Sequence, residues 1–332
     1  MEPLHGMNGR EMVLKTVHFQ SPKGLAMTLP KEYRYDFYGW GPNPSPDARC
    51  KKGVDEWGAV WDNIGTTSLG EVKQFPLLDW EDFPKLKIPD VREERRWKGI
   101  EEVREKAGDK FLCGSGFSIY ERLHFIRSLE NTWIDIYENP EKLCELMDIL
   151  VDMNLYAIEM YGKYGFDGLM FCDDWGLQDS LMISPKHWRE LWKPRYQRIF
   201  EAAHKAGLVT ILHSCGYIVD ILDDLIEAGL DVIQMDQQMN MGLDLLSRRF
   251  RGRITFYCPV DIQAVMAFGN ESTIRAYCRE MVSKLGTPTG GFIAGYYSSP
   301  QSVGHTPEAI RAMCEEFMAI DREIREGIFQ YV

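Results

Sequence analysis

From residue 109 onward one pattern repeats: a short apolar run ending in small, polar or thiol-bearing residues, then a longer stretch of helical periodicity. The runs are KFLCGSG, GLMFCDD, LVTILHSC, LDVIQMD, ITFYCPVD and GFIAGYY. The periodic stretches span 140–164, 185–206, 219–228, 272–285 and 307–326. Pro140, Pro185 and Pro307 stand where a first helical turn tolerates proline. Strands alternating with helices require parallel neighbours joined by right-handed crossovers. Runs as continuously apolar as VTIL and VIQM read as strands buried on both faces. Six strand–helix units are countable, and two more strands are expected from the N-terminal part, near 25–29 and 58–64. The expectation is therefore an α/β chain folded as an eight-stranded (β/α)8 TIM barrel. An open doubly wound sheet is the second choice, without the GxGxxG or GxxxxGK[ST] of its nucleotide-binding forms.

All of 1–332 is expected to form one domain, with 1–108 as an irregular, aromatic-rich segment and cover and 109–332 as the regular units. Only 9–19 in the first part has helical spacing. The charge balance of 38 basic against 50 acidic residues, net −12, argues against nucleic-acid or anionic-membrane partners, which need a basic footprint. No apolar run reaches the ~20 residues of a spanning helix, and the opening residues lack the apolar core of a secretory signal. Eight scattered cysteines suit reduced thiols better than a disulfide framework. A cytoplasmic enzyme is the expectation.

In a barrel, chemistry sits where the strands end. Asp173-Asp174-Trp175 follows GLMFC, His213-Ser214-Cys215-Gly216 follows VTIL, Asp236 follows VIQM, and Cys258-Pro259-Val260-Asp261 follows ITFY. His213 and Cys215, two apart in extended backbone, point the same way, and Gly216 lets the chain turn away. An imidazole and a thiolate on one face make half a zinc site. Cys258 lies two strands on at a similar level, with Asp236 on the strand between. Strands ~4.8 Å apart can bring such groups to one ion. The expected metal ligands are thus His213, Cys215 and Cys258, with Asp236 as fourth ligand or substrate contact. Asp173 and Asp174 are the expected catalytic carboxylates, capping being their plainer role, and Cys172 reads as core. Trp175, Tyr38, Trp40, Trp57 and Tyr296 either line a substrate pocket or cap the barrel.

At these residues the chain resembles the uroporphyrinogen decarboxylase superfamily. The resemblance runs through most of the chain and is densest from Gly168 to Gln263, over GLMFCDDWGLQDSLMISPKHW, LVTILHSCG, DVIQMDQQMNMGLDLL and TFYCPVDIQ. More narrowly, it resembles the zinc- and corrinoid-dependent methyltransferases, among them methylcobalamin:coenzyme M methyltransferases and O-demethylase components. That resemblance implies zinc held by His213 and Cys215 plus a third cysteine. In the coenzyme M enzymes that cysteine follows the last strand, where this chain has Gly295-Tyr296-Tyr297-Ser298, leaving Cys258 as the available replacement. It also implies methyl transfer between a small methylated donor, such as a methoxylated aromatic, and a corrinoid (cobalamin) carried on a separate protein. A homodimer is an open option. Two other readings stand beside this one: a tetrapyrrole decarboxylase, for which no MRQAGR-like run is present and Arg34 and Arg49 are the nearest arginines, and a non-catalytic metal- or corrinoid-handling barrel.

Overall fold

A computed structural model describes residues 6–43, 53–62 and 70–332. Eight strands form one parallel, nearly closed barrel: β1 (Ala26–Met27), β2 (Phe37–Trp40), β6 (Phe111–Ser115), β7 (Gly168–Cys172), β8 (Val209–His213), β9 (Val232–Gln234), β10 (Thr255–Cys258) and β11 (Phe292–Ala294). Their order around the sheet is β1-β11-β10-β9-β8-β7-β6-β2. Asp36 bridges the seam between β1 and β2. Its N–H donates to the Met27 carbonyl (2.8 Å) and its carboxylate accepts the Met27 N–H (2.9 Å). The remaining strands, β3 (Gly53–Val54), β4 (Val60–Asp62) and β5 (Glu71–Gln74), make a separate antiparallel sheet.

All six expected strands of 109–332 are present, and helices fall at Pro140–Lys163, Val219–Ala228, Glu271–Leu285 and Pro307–Glu326. The expected helix over 185–206 is broken by a π-turn at Trp188–Trp192, where the Lys193 N–H reaches back to the Trp188 carbonyl. Pro194 follows and has no N–H to continue an ordinary ladder. One N-terminal expectation needs correction. The strand expected near 25–29 is β1, but 58–64 supplies β4 of the small sheet, its last two residues lying outside the described ones. The eighth barrel strand is Phe37–Trp40 instead.

Alternation along the strands divides the apolar residues into two layers. Phe37, Phe111, Cys113, Val209, Ile211, Val232 and Ile293 form the barrel interior, with Met170 and Tyr257 against them. Leu112, Leu169, Leu212, Ile233, Phe256 and Ala294 pack outward beneath the helices. The helix Gly9–Val17 closes one end, its Met12, Val13 and Val17 joining the interior cluster. The Asn8–Glu11 capping box starts it. Bonds from Arg10 N–H to the Asp109 carbonyl and from Gly291 N–H to the Thr16 carbonyl fix it where strands begin. The opposite end, where strands finish, carries the polar residues.

Candidate metal centre at the barrel mouth

The site is built on two adjacent strand ends. Beyond β7 and β8 the backbones cross so closely that two glycines are required. A Cβ on Gly176 would stand 2.3 Å from the Tyr217 nitrogen, and one on Gly216 (φ +74°) would stand 2.3 Å from the Gly176 carbonyl oxygen. The crossing is held by Gly176 N–H to the Cys215 carbonyl (3.1 Å) and Tyr217 N–H to the Leu177 carbonyl (2.8 Å). It brings Asp174 over the His213–Cys215 pair.

His213 continues the inward parity of Val209 and Ile211, so its ring stands in the mouth. Its Nε2 lies 3.3 Å from Cys215 Sγ and 3.4 Å from Asp174 Oδ1. The same carboxylate oxygen accepts the Cys215 N–H at 2.8 Å. Asp174, His213 and Cys215 are the group of possible metal ligands whose donor atoms converge within 4.8 Å among the described residues. The ring's other nitrogen, Nδ1, is taken by Gln234 Oε1 on the neighbouring strand, and Gln234 Nε2 donates to Asp236 Oδ1 at 2.7 Å. A carboxylate accepts, so the amide NH2 faces Asp236 and its carbonyl faces His213. Nδ1 therefore donates to Gln234, which leaves Nε2 as the nitrogen that a metal could take in place of its proton.

The site's electrostatics favour a cation. Burial opposes a charge on His213, yet the hydrogen bonds its protonated ring donates to Asp174 and Cys215 outweigh it and raise its pKa well above 6.5. Burial raises the Cys215 thiol, partly offset by His213. Burial also raises Asp236. Zinc fits this donor set. Bonds of ~2.0–2.3 Å in a tetrahedron hold donors ~3.3–3.7 Å apart, which is the spacing of Nε2 to Sγ and Oδ1 here.

Three expectations from the sequence need correction. Cys258 is not in the group. In register His213 pairs with Gln234, and Gln234 with Tyr257, so Tyr257 has inward parity and Cys258, one residue on, faces outward. It is fully buried among residues under the helices, and burial drives its thiol far above the ordinary range. Asp173 is a structural anchor. Its carboxylate accepts the N–H groups of Ile119, Tyr120 and Glu121 at 2.8–3.0 Å and the Tyr196 hydroxyl at 2.7 Å, fixing the start of the helix Tyr120–Arg127. The expected pocket aromatics are core and cover. Trp175 is fully buried, stacked on Tyr120 at 3.8 Å. Trp40 faces outward, packed on Trp97, Tyr161 and Phe166 at 5.9–6.3 Å. Trp57 is buried beside Arg122, and Tyr38 and Tyr296 pack partly buried against the outer core. Asp236 is at the mouth but reaches His213 only through Gln234, a residue that no sequence signal flagged.

Of the two arginines considered for an acidic substrate, Arg34 is turned away from the mouth. Arg34 pairs with Asp36 (2.9 Å), which precedes β2 at the barrel's opposite end; Arg49 lies outside the described residues. Arg122, buried on the helix Tyr120–Arg127, and Arg96, buried in the N-terminal cover, pair with Asp55 and Glu56 at 3.3 and 2.9 Å.

The uroporphyrinogen decarboxylase (URO-D) family matches residues 64–319. No curated protein matches the sequence. Among solved structures, the fold is similar to a methyltransferase from Methanosarcina mazei, with TM-score 0.58 and 18% identity over 96% of this chain and 87% of that one. A B12-independent methionine synthase from Shewanella sp. W3-18-1, in complex with selenomethionine, aligns with TM-score 0.49 and 10% identity over 69% and 66% of the two chains. At these identities the likeness is one of fold. No described helix is long and apolar enough to cross a membrane.

Proposed function

This chain belongs to the uroporphyrinogen decarboxylase family, and from that premise we propose that it is a zinc-dependent methyltransferase, moving a methyl group between a small methylated donor and a corrinoid on a separate protein. The observation that carries this reading is the convergence of His213 Nε2, Cys215 Sγ and Asp174 Oδ1 at the mouth. A decarboxylation site has no need of a thiolate–imidazole pair, which is a borderline-soft metal's donor set. A porphyrinogen's carboxylates would need cations to match them, whereas Arg34, Arg96 and Arg122 are already paired with acids.

Zinc, when bound, supplies Lewis acidity that stabilises charge on the heteroatom the methyl group leaves. His213, Cys215 and Asp174 would hold it. Gln234 fixes the His213 tautomer, and Asp236 fixes Gln234. The Gly176–Gly216 crossing keeps Asp174 over the pair, so the three donors need little reorganisation to bind. The likeness in fold to the Methanosarcina methyltransferase agrees with this reading.

Purified protein supplied with zinc, a methoxylated aromatic and cob(I)alamin is expected to form methylcobalamin. A chelator should abolish the activity, zinc should restore it, and Cys215→Ser should lower it at least ~100-fold, on the order of 2.7 kcal/mol of barrier. Chelator-insensitive, stepwise loss of carboxylates from uroporphyrinogen would establish the decarboxylase reading instead.

A further inference from the structure

The glycine inside β2 does nothing for the fold. Glycine weakens a strand, and the usual reasons for one there are a bulge, a left-handed backbone, a crowding neighbour or a ligand. Gly39 has none of the first three. Its strand pairs with β6 without a slip, from Phe37 with Phe111 to Trp40 with Gly114. Its φ lies outside the left-handed region, and no described atom beyond its chain neighbours comes within 4 Å of where its Cβ would stand. The adjoining strands differ. A Cβ on Gly114 of β6 would stand 2.5 Å from the Tyr161 ring, and one on Gly168 of β7 would stand 2.7 Å from the Phe111 ring. Packing requires those two glycines but not Gly39.

The open space in front of Gly39 is inside the barrel. Phe37 packs inward, and Trp40 packs outward on Trp97 and Tyr161, so alternation turns Gly39 inward. Below it the Phe37 ring stacks on that of Tyr257, with centroids 5.8 Å apart, and Thr28 Oγ1 holds the Tyr257 hydroxyl at 2.8 Å. Ser115 leans toward β2, its Oγ 2.9 Å from where a Cβ on Gly41 would stand. Ser115, Met170 and Tyr257 are partly exposed although they face inward, whereas Phe111 and Cys113, deeper on β6, are buried. The helix Gly9–Val17 closes the other end, so this exposure opens through the mouth, as does that of His213.

We propose, resting on the methyltransferase reading above for the identity of the donor, that Gly39 opens a slot for the body of the methyl donor, and that this body is flat and uncharged. The order β8-β7-β6-β2 places the slot most of the way across the barrel from His213. A donor seated there turns its heteroatom to the metal site while its body lies against β2. The bare peptide of Gly39 gives a ring a plane to lie on, and Met170 and Tyr257 add a thioether and a ring face. None of the eight barrel strands contains an Asp, Glu, Lys or Arg, so a charge seated among them would lose its water without gaining a partner. Gly39 thereby sets the size of donor admitted, because any side chain at that position fills the slot.

Gly39→Ala and Gly39→Leu test this, because both should fold at least as well as the parent, read by urea unfolding, and bind zinc equally. Zinc-loaded protein is titrated with 2-methoxyphenol by calorimetry. The Kd should rise several-fold in Gly39→Ala and at least ~10-fold in Gly39→Leu, as for overfilling a packed site. In the parent, 3-methoxybenzoate, which carries a carboxylate, should bind at least ~10-fold more weakly than 2-methoxyphenol. Four results overturn the proposal and leave the metal site and the transfer reading standing: no binding of 2-methoxyphenol by the parent, an equal Kd in Gly39→Leu, tighter binding of the carboxylate, or a Gly39→Leu protein that unfolds more easily, which would give the glycine a structural reason. A parent that binds 2-methoxyphenol but forms no methylcobalamin from it with cob(I)alamin removes the transfer reading, and the donor's slot with it.

Discussion

Asp173 and Asp174 are chemically identical neighbours with opposite jobs, because successive residues leaving a strand point opposite ways. Asp173 turns outward beneath the helices and receives three backbone N–H groups and a hydroxyl; Asp174 turns to the mouth and meets His213 and Cys215. Hydrogen bonds to a buried charge are worth ~1.5–3 kcal/mol each. Asp173→Ala should therefore cost on the order of 3 kcal/mol or more, read as a lower urea midpoint. Asp174→Asn should leave that midpoint within about 0.5 kcal/mol while weakening zinc binding. Equal losses of stability in both would show that Asp174 is also structural. The His213–Cys215 pair was legible from spacing alone, since two residues of extended chain share a face. Cys258 was misread because comparing levels between strands ignores parity, and a one-residue error turns a side chain to the other face. Gln234 was invisible because an amide carries no metal signature until its neighbour is known.

Elements were more legible than residues. The six strands of 109–332 declare themselves because burial on both faces demands unbroken apolar runs. Phe37–Trp40 does not, being four residues with a glycine inside. The break at Trp188–Trp192 was legible only in hindsight, from Pro194. What periodicity cannot show is how loops after separate strands meet, and here that meeting makes the site. Gly216→Ala tests it: the left-handed backbone and the 2.3 Å approach to Gly176 leave no room for a methyl group. The expected result is destabilisation beyond the ~1 kcal/mol of an ordinary strained turn, together with zinc affinity reduced at least ~10-fold as Asp174 moves off the pair. Competition with a chromophoric chelator measures the second effect. Unchanged affinity would mean that the crossing does not position Asp174.

For the whole molecule, stability should depend on pH through the end away from the site. His204 on the helix Lys193–Lys205 meets Asp231, which precedes β9, at 2.9 Å. That hydrogen bond raises the His204 pKa above 6.5, with burial opposing. A pKa raised in the folded state means that the pair's stabilisation is complete below the unfolded value and is lost as pH rises through the folded one. As a half-exposed pair it is worth under ~1 kcal/mol. The stability difference between parent and His204→Gln, from urea unfolding, should accordingly shrink as pH rises above about 6.5. A constant difference would assign the effect to packing. The barrel's seam has a consequence for how the chain is born. Ala26 of β1 pairs with Ile293 of β11, and the plug helix hangs on Gly291 through Thr16. During synthesis the first strand emerges long before its partner exists. Until the last unit leaves the ribosome, the nascent protein is an open sheet with two unsatisfied edges and an undocked amphipathic helix. Premature stops before Phe292 should therefore yield sticky, chaperone-bound fragments rather than smaller stable barrels.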